Sequence, residues 1–225
     1  MRTILIIGGS KGIGESLVNT LKGSCNIIIM SRSEIHKQEN TRHYSLDILK
    51  DELPEIEKLD GLVYCPGSIN LKSFTRLTIE DFQNDFNINF LGAVKAIKKY
   101  EKVLSNNNGS VVLFSTVATQ LGMPYHASIA ASKASVEGLA KSLAAEYATK
   151  IRFNVIAPTI TNTSLAARLL RNDSQKEMMK ERHPLKTYLE PQEVANLAKY
   201  LLSNEARAIS GQIHTIDAGI VSLKL

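Results

Sequence analysis

The sequence has few of the residues on which metal sites and disulfide frameworks depend. Its 225 residues include two cysteines, Cys25 and Cys65, and neither stands in a Cys-x-x-Cys or mixed Cys/His pattern. We therefore expect no disulfide framework and no metal site. Long apolar runs are also missing. The longest one near the N-terminus, Ile4–Ile7, is too short to cross a membrane and lacks the shape of a signal peptide. We expect a cytoplasmic protein without a membrane partner.

Composition and charge narrow the class further. Hydrophobic residues make up 44% of the chain and charged residues 22%, which argues against disorder. The length suits one domain with a substantial core. The net charge of +5 is compatible with an acidic partner, but the cations are scattered and mixed with acids along the chain. An ordinary solvated surface explains this charge, and we expect no nucleic-acid partner.

Short apolar runs alternate with longer amphipathic stretches along the whole chain, and this pattern predicts βαβ units around a parallel sheet. The predicted strands are Thr3–Ile7, Asn26–Met30, Gly61–Tyr64, Ser110–Phe114, Arg152–Ile156 and Ile213–Ile216, with a weaker one near His43–Ser45. The predicted helices are Gly12–Leu21, Ile79–Leu104, Ala127–Ala148, Thr163–Arg182 (a candidate lid) and Glu190–Ser203. The expected fold class is α/β: a doubly wound parallel sheet of about seven strands with helices on both faces, as a single domain over 1–225.

A glycine-rich loop joins the first predicted strand to the first helix. It reads Gly8-Gly9-Ser10-Lys11-Gly12-Ile13-Gly14. Glycines let the backbone turn tightly and approach a pyrophosphate, and the helix N-terminus offers free N–H groups to the phosphates. Because the loop has the required strand before it and helix after it, the sequence predicts a Rossmann-type dinucleotide site.

The end of the second strand indicates which dinucleotide is bound. An NAD site usually has an acid there to hold the ribose 2′-OH, whereas this chain has Ser31, Arg32 and Ser33. Arg32 offers a planar guanidinium to a 2′-phosphate, and Lys11, in the glycine loop, could lie on the same phosphate. The sequence therefore favours NADP(H) over NAD(H), unless both cations are merely surface residues.

Motifs across nearly the whole chain resemble those of the short-chain dehydrogenase/reductase family, especially its 3-oxoacyl-(acyl carrier protein) reductase-like members. They are the Gly8–Gly14 loop, Asp47-Ile48, Asn87-Ile88-Asn89-Phe90-Leu91-Gly92, Ile151–Pro158, Thr163, Pro191–Ala195, Ser210-Gly211-Gln212 and Asp217-Ala218-Gly219. The resemblance implies hydride transfer between a nicotinamide cofactor and a carbonyl or hydroxyl substrate, possible substrates including an acyl thioester. It also implies a homodimer or homotetramer, or a hetero-oligomer with an active homologue.

The resemblance also implies roles for particular residues. The cofactor would contact Gly8, Ser10, Lys11, Gly12, Ile13, Gly14, Arg32, Asp47, Ile48, Gly67, Lys133, Pro158 and Thr163, and the surviving catalytic residues would be Thr116, Lys133 and Asn89. Asp47 and Ile48 would contact the adenine, Asn89 would support a proton relay, and Lys133 would hold the nicotinamide ribose.

Several positions depart from the family pattern. Tyr64-Cys65-Pro66-Gly67 stands where Asn-Asn-Ala-Gly is usual, Thr159 replaces a glycine after Pro158, and Ala218 replaces a glycine near the C-terminus. These residues restrict backbone angles that glycine permits, so the fine shape of the cofactor pocket is expected to differ.

The active-site motif departs most. The family has Tyr-x-x-x-Lys with a serine thirteen residues before the tyrosine; here Lys133 keeps the lysine, Ile129 occupies the tyrosine position and Thr116 the serine position. A lysine four residues along a helix favours the phenolate of such a tyrosine, which then exchanges a proton with the substrate. Isoleucine has no proton to exchange, although the cofactor still permits hydride transfer.

The replacement of the tyrosine by Ile129 has two possible interpretations. The chain is either an oxidoreductase with altered proton delivery, or a non-catalytic relative that senses NADP(H) or serves as an inactive subunit. Tyr125, one turn before Ile129, and its neighbour His126 are the candidate substitute acids. The alternative is that they are a loop tyrosine and a surface histidine.

Overall fold

A computed structural model describes residues 1–34 and 40–224. The strands are β1 (Arg2–Ile7), β2 (Cys25–Ser31), β3 (Thr41–Ser45), β4 (Gly61–Tyr64), β5 (Ser110–Phe114), β6 (Arg152–Pro158) and β7 (Ile213–Ile216). The helices are α1 (Gly12–Leu21), α2 (Ile79–Phe86), α3 (Gly92–Asn106), α4 (Ala127–Glu146), α5 (Asp173–Glu181) and α6 (Pro191–Leu202). All seven predicted strands are present, including the weak one near His43–Ser45.

The seven strands form one parallel sheet in the order β3-β2-β1-β4-β5-β6-β7. The order reverses between β1 and β4, so the carboxyl ends of these two strands open a crevice of the kind that binds ligands in doubly wound sheets. Isoleucine, leucine and valine fill β1, β4 and β5, which are buried on both faces. The predicted α/β class and Rossmann topology are confirmed.

Two apolar clusters, one on each face of the sheet, hold the helices in place. On one face α3 and α4 pack through residues such as Ile97, Tyr100 and Val136. On the other, α1 and α6 pack through residues such as Leu17 and Leu201. Helices therefore cover both faces, and the carboxyl edge of the sheet is the place where loops are free to form a site.

Helix α4 carries alanines both on its buried side and on its exposed side. Ala140 and Ala144 are buried against the sheet and belong to the chain's own core. Ala131 and Ala134 are exposed on the opposite side of the same helix. Some alanines of α4 therefore pack in the core, and others lie on the surface of the chain.

Two predicted helices are interrupted. The segment predicted over Thr163–Arg182 begins with a short 3-10 turn, Ser164–Ala166, and the regular helix α5 starts only at Asp173, where the Asn172 side chain accepts a hydrogen bond from Gln175 N at 2.9 Å. This asparagine cap starts a new helix rather than continuing the old one. The segment predicted over Ile79–Leu104 is helical throughout but opens into a π-helical turn at Asn87–Leu91.

Within residues 1–34 and 40–224, no helix combines the length and apolar character needed to cross a membrane. The same residues contain no cluster of three or more histidine, cysteine, aspartate or glutamate side chains that could hold a metal ion.

Candidate functional site

The backbone of the glycine loop packs so closely that a side chain larger than that of glycine does not fit at Gly14. A side chain on Gly14 would collide with the carbonyl oxygen of Gly8, so these two backbones are in direct contact. Gly8 has φ +81° and donates its N–H to Met30 O at 2.7 Å, which ties the loop to the end of β2. The start of α1 thereby faces the crevice with a bare backbone, as a pyrophosphate-binding turn requires.

Thr163, one of the predicted cofactor contacts, packs against this loop. A methyl group on Gly12, whose φ is +58°, would lie 3.1 Å from Thr163 Cγ2. Ile13 and Thr163 also line one cavity, which brings the glycine loop and the segment after β6 to the same place.

The residues predicted to hold the adenosine end lie at the carboxyl ends of β2 and β3. Arg32 directly follows β2 and is exposed, and its guanidinium has no hydrogen bond or ion pair with any residue in the described part of the chain. Asp47 lies after β3 with Oδ1 accepting from Leu49 N at 3.0 Å. Lys11 is exposed and borders a separate groove beside α1. Ile48 is buried in the apolar core next to Asp47 in sequence.

A largely apolar cavity of about 240 Å³ lies next to the glycine loop. Its walls come from the loops after β4, β5 and β6, from α4 and from the segment around α5. The predicted site residues on its surface are Ile13, Gly67, Thr116, His126, Ile129, Lys133, Pro158 and Thr163. The structure therefore brings the sequence-predicted catalytic and nicotinamide-side residues together.

Lys133 reaches into this cavity from α4. Its Nζ donates a hydrogen bond to Phe114 O at 2.9 Å, at the end of β5. Burial lowers the pKa of Lys133 to about 8, while the Asp85 carboxylate acts in the opposite direction. Burial also raises the pKa of Cys65 to about 12, so this thiol stays protonated at neutral pH.

Asn89 approaches Lys133 at the backbone of Gly67, which lines the cavity. A methyl group on Gly67 would lie 3.1 Å from Asn89 Oδ1 and 3.7 Å from Lys133 Nζ, so both side chains reach the same stretch of backbone. Asn89 lies in the π-helical turn and is only 1% exposed. The turn's extra residue points this amide inward, and such π-bulges are frequent at functional sites.

A buried carboxylate that the sequence analysis missed holds Asn89 and two serines in a network. Asp85, 2% exposed, accepts from Ser68 Oγ at 2.5 Å and from Ser128 Oγ at 2.6 Å. Asn89 Nδ2 donates to Ser68 Oγ at 2.9 Å and to Asp85 O at 2.7 Å. The only sequence signal was the spacing of four residues between Asp85 and Asn89 on one helix.

Thr116, at the serine position, keeps a usable hydroxyl. Its Oγ1 accepts from Ala118 N at 3.3 Å, which caps a short 3-10 turn. Its own proton has no acceptor among the side chains and backbone of the described residues, and Thr116 lines the cavity. The hydroxyl is therefore free to donate to a substrate oxygen.

Ile129 lies on the cavity surface one turn before Lys133 and is 5% exposed. Tyr125 is outside the cavity: it is 62% exposed, has φ +69° and precedes the start of α4 at Ala127. The continuation of the helix that would have placed Tyr125 on the same face as Ile129 is therefore missing. His126 does line the cavity, with Nδ1 2.7 Å from Pro124 O.

The tyrosine that replaces the usual asparagine after β4 supports the π-helical turn. Tyr64 donates its hydroxyl to Ile88 O at 2.7 Å, while Gly92 N–H bonds five residues back to Asn87 O. The Tyr64 ring lies directly against Gly92, where any side chain would collide with its hydroxyl. Burial raises the pKa of Tyr64 well above its ordinary value, so it stays a neutral donor.

This contact predicts that Gly92→Ala destabilises the fold by about 2 kcal/mol, because the new methyl group overpacks the Tyr64 site. Chemical denaturation measures the effect. Gly138→Ala is the control: Gly138 is an exposed residue of α4 whose Cβ would meet nothing within 4 Å, so alanine there should stabilise by about 0.5 kcal/mol. In a Tyr64→Leu background, Gly92→Ala should cost much less; an undiminished cost would refute the proposed contact.

Comparison with known proteins agrees with this architecture. The family described as enoyl-(acyl carrier protein) reductase matches residues 28–221. The 3-oxoacyl-[acyl-carrier-protein] reductase FabG of Rickettsia felis is 32% identical over 238 residues, covering 98% of this chain and 97% of the relative. The solved structure "ElxO with NADP Bound" shares 26% identity and a TM-score of 0.87 over 99% of each chain. A 4-hydroxyisoleucine dehydrogenase complexed with NADH, at 23% identity and a TM-score of 0.90 over the whole of both chains, shares the fold. The chain belongs to the short-chain dehydrogenase/reductase family.

Proposed function

We propose that this protein is an NADP(H)-dependent oxidoreductase that reduces a carbonyl group on an apolar substrate. The observation that carries the proposal is the bare glycine turn, Gly8 to Gly14, next to a cavity lined by Lys133 and Thr116. The Rickettsia relative is named for a 3-oxoacyl substrate, and the ElxO structure is named with NADP bound. Both names fit this pairing of nucleotide turn and apolar cavity.

The residues fit such a cofactor at each end. The backbone of the loop and of α1 would hold the pyrophosphate, and Arg32 would bind the 2′-phosphate with its guanidinium, which has no hydrogen bond to the other described residues. Asp47 would contact the adenine through the carboxylate oxygen that Leu49 does not use. Lys133 would hold the nicotinamide ribose. When bound, the reduced nicotinamide supplies the hydride.

The chain's own residues would then prepare the substrate. Thr116 would donate a hydrogen bond from its hydroxyl to the substrate oxygen, and Asn89 and the Asp85 network would hold Ser68 in place on the cavity wall. With substrate bound, the apolar walls would exclude water, which would strengthen each of these polar contacts. Ile129 contributes shape and no proton.

Isothermal titration of the purified protein with NADPH and with NADH tests the nucleotide assignment. We expect micromolar NADPH binding that is clearly tighter than NADH binding. Arg32→Ala should weaken NADPH about 10- to 100-fold, the value of a charge-assisted hydrogen bond, and leave NADH nearly unchanged. Arg207→Ala is the control, since Arg207 is exposed and precedes β7 at the amino edge of the sheet.

If the protein binds neither NADPH nor NADH, the proposal is overturned. If Arg32→Ala leaves the ratio of the NADPH and NADH affinities unchanged, the NADP(H) assignment is overturned. Hydride transfer is measured as the rate of NADPH oxidation in the presence of a panel of ketones, aldehydes and 3-oxoacyl thioesters. Tight NADPH binding without turnover of any of them, in the wild type or in Ile129→Tyr, would favour a nucleotide sensor or inactive subunit instead.

A further inference from the structure

We propose that Thr159 and His183 form a proton-donating pair that takes the place of the missing active-site tyrosine. The proposal rests on the proposed function, because the proton it delivers completes a carbonyl reduction. Both residues lie on the wall of the cavity that Ile129, Thr116 and Lys133 also line.

The sheet places Thr159 next to Thr116. Strands β5 and β6 are neighbours, and Ser115 N bonds to Ile156 O at 2.8 Å where they end. Thr116 follows β5 and Thr159 follows β6, so the two hydroxyls leave the same edge of the sheet on adjacent strands. A substrate oxygen held by Thr116 would therefore be presented toward the Thr159 side of the cavity.

Thr159 is held firmly enough to aim its hydroxyl. Its N–H donates to Ile216 O at 3.0 Å, and its carbonyl accepts from Thr161 Oγ1 at 3.0 Å. It stands where relatives in the family pattern have a glycine, so the hydroxyl is an addition of this chain at the cavity wall.

The hydrogen bonds of His183 leave one ring nitrogen able to change its proton. Nδ1 lies 2.6 Å from Met179 O, which only accepts, so Nδ1 carries a hydrogen in both charge states of the ring. Nε2 lies 2.8 Å from Thr159 Oγ1. A neutral Nε2 accepts from the Thr159 hydroxyl, and a protonated Nε2 donates to it. In the second state, the Thr159 proton is released to point into the cavity.

This exchange balances the reduction of a carbonyl. The bound reduced nicotinamide would supply the hydride for the new C–H bond and would itself be oxidised, while the C=O π pair would move to oxygen. Thr159 Oγ1 gives its proton to that oxygen and receives one from Nε2, so His183 ends neutral. After product release, a proton from bulk solvent, carried by water in the emptied cavity, reprotonates His183 through Thr159.

Other candidates in the cavity are less well placed. Lys133 donates one hydrogen bond to Phe114 O and is already assigned to the nicotinamide ribose. His126 also lines the cavity, but it is only half-buried at the cap of α4 and its Nδ1 is paired locally with Pro124 O. His183 is 1% exposed and has both ring nitrogens paired, which is the arrangement of a positioned acid rather than of a surface histidine.

Turnover of four variants tests the pair, each in the wild type and in an Ile129→Tyr background. In the wild type, Thr159→Val and His183→Gln should each lower kcat about tenfold or more, with the KM for NADPH unchanged. Thr159→Ser keeps a hydroxyl and should retain most of the activity. His43→Gln is the control, because His43 forms a similar pair with Ser31 Oγ at 2.9 Å outside the cavity.

The Ile129→Tyr background separates proton delivery from structure. With a phenol present, Thr159→Val and His183→Gln should cost less than about twofold, since the pair is no longer needed. Equal losses in both backgrounds would mean that the pair is structural and would overturn the proposal. An unchanged kcat in His183→Gln without the Ile129→Tyr substitution would also overturn the proposal. So would a wild-type protein that binds NADPH but gains activity only after Ile129→Tyr. In these two cases the proposed nucleotide binding would stand.

A measurement without turnover gives a second test. In ¹⁵N-labelled protein with NADP⁺ and an alcohol product, the His183 Nε2 resonance should shift on alcohol binding. The shift should be lost in Thr159→Val and kept in Thr159→Ser. A shift that survives Thr159→Val would overturn the relay through the hydroxyl, whatever the activity of the protein.

Discussion

Ile129→Tyr should raise the rate of NADPH-dependent carbonyl reduction about 100-fold. The position is one turn before Lys133, so a phenol there would lie on the same face of α4 and point into the same cavity. The Lys133 ammonium would lower the pKa of that phenol and make it a general acid near neutral pH. General acids contribute on the order of 10²–10⁴ in rate, and we expect the lower end because Thr159 and His183 already supply a proton.

The measurement is kcat/KM for NADPH oxidation across the carbonyl panel. Ile129→Phe is the matched control, since it adds the ring without the hydroxyl and should remain at the wild-type rate. A gain shared by tyrosine and phenylalanine would show that cavity shape, not proton transfer, limits the rate. No gain with tyrosine on any substrate would contradict the interpretation of this cavity as a reductase site.

Much of the fold and part of the site could be predicted from local sequence. The strands were visible because isoleucine and valine cluster where both faces are buried, as in Ile4–Ile7 and Ser110–Phe114. The glycine loop was visible because its backbone needs no partner from elsewhere in the chain. The spacing of Ile129 and Lys133 was enough to place both on one face of α4.

The parts that escaped prediction depend on long-range contacts. Asp85 is 43 residues from Ser128, and Thr159 is 24 from His183, so no local pattern connects them. In the sequence, the departures from the family pattern are visible only as replacements of glycine or asparagine. The structure shows that two of the new residues, Tyr64 and Thr159, each form a hydrogen bond with a residue far away in the sequence. The break before α5 depended on the capping geometry of Asn172, which competed with a helical pattern on both sides.

Lys133→Met should weaken NADPH binding about 10- to 100-fold and at the same time stabilise the fold by about 2 kcal/mol at pH 7. The first effect follows from the ribose contact that we assign to Lys133. The second follows from burial, which lowers its pKa from 10.5 in the unfolded chain to about 8 in the folded one. One pKa unit corresponds to about 1.4 kcal/mol, and we reduce the full difference because the cavity lets water reach the ammonium.

The pH dependence gives the sign of this effect. Between pH 8 and 10.5 the unfolded chain binds the Lys133 proton and the folded chain does not, so this group makes the free energy of unfolding rise with pH in that window. Below pH 8 the full cost of burying the ammonium is present. The stability advantage of Lys133→Met should therefore be largest at pH 7 and shrink as the pH rises through this window.

Denaturation of the wild type and Lys133→Met at several pH values measures the difference directly. Lys141→Met is the control: Lys141 is an exposed lysine two turns further along α4, and its removal should change stability little at any pH. A Lys133→Met variant that is less stable than the wild type, or an advantage that does not change with pH, would show that the ammonium is not held at a cost to folding. Stabilisation with loss of binding would instead identify Lys133 as a residue that this fold retains for its ligand, even though Ile129 has replaced the tyrosine that such a lysine ordinarily serves.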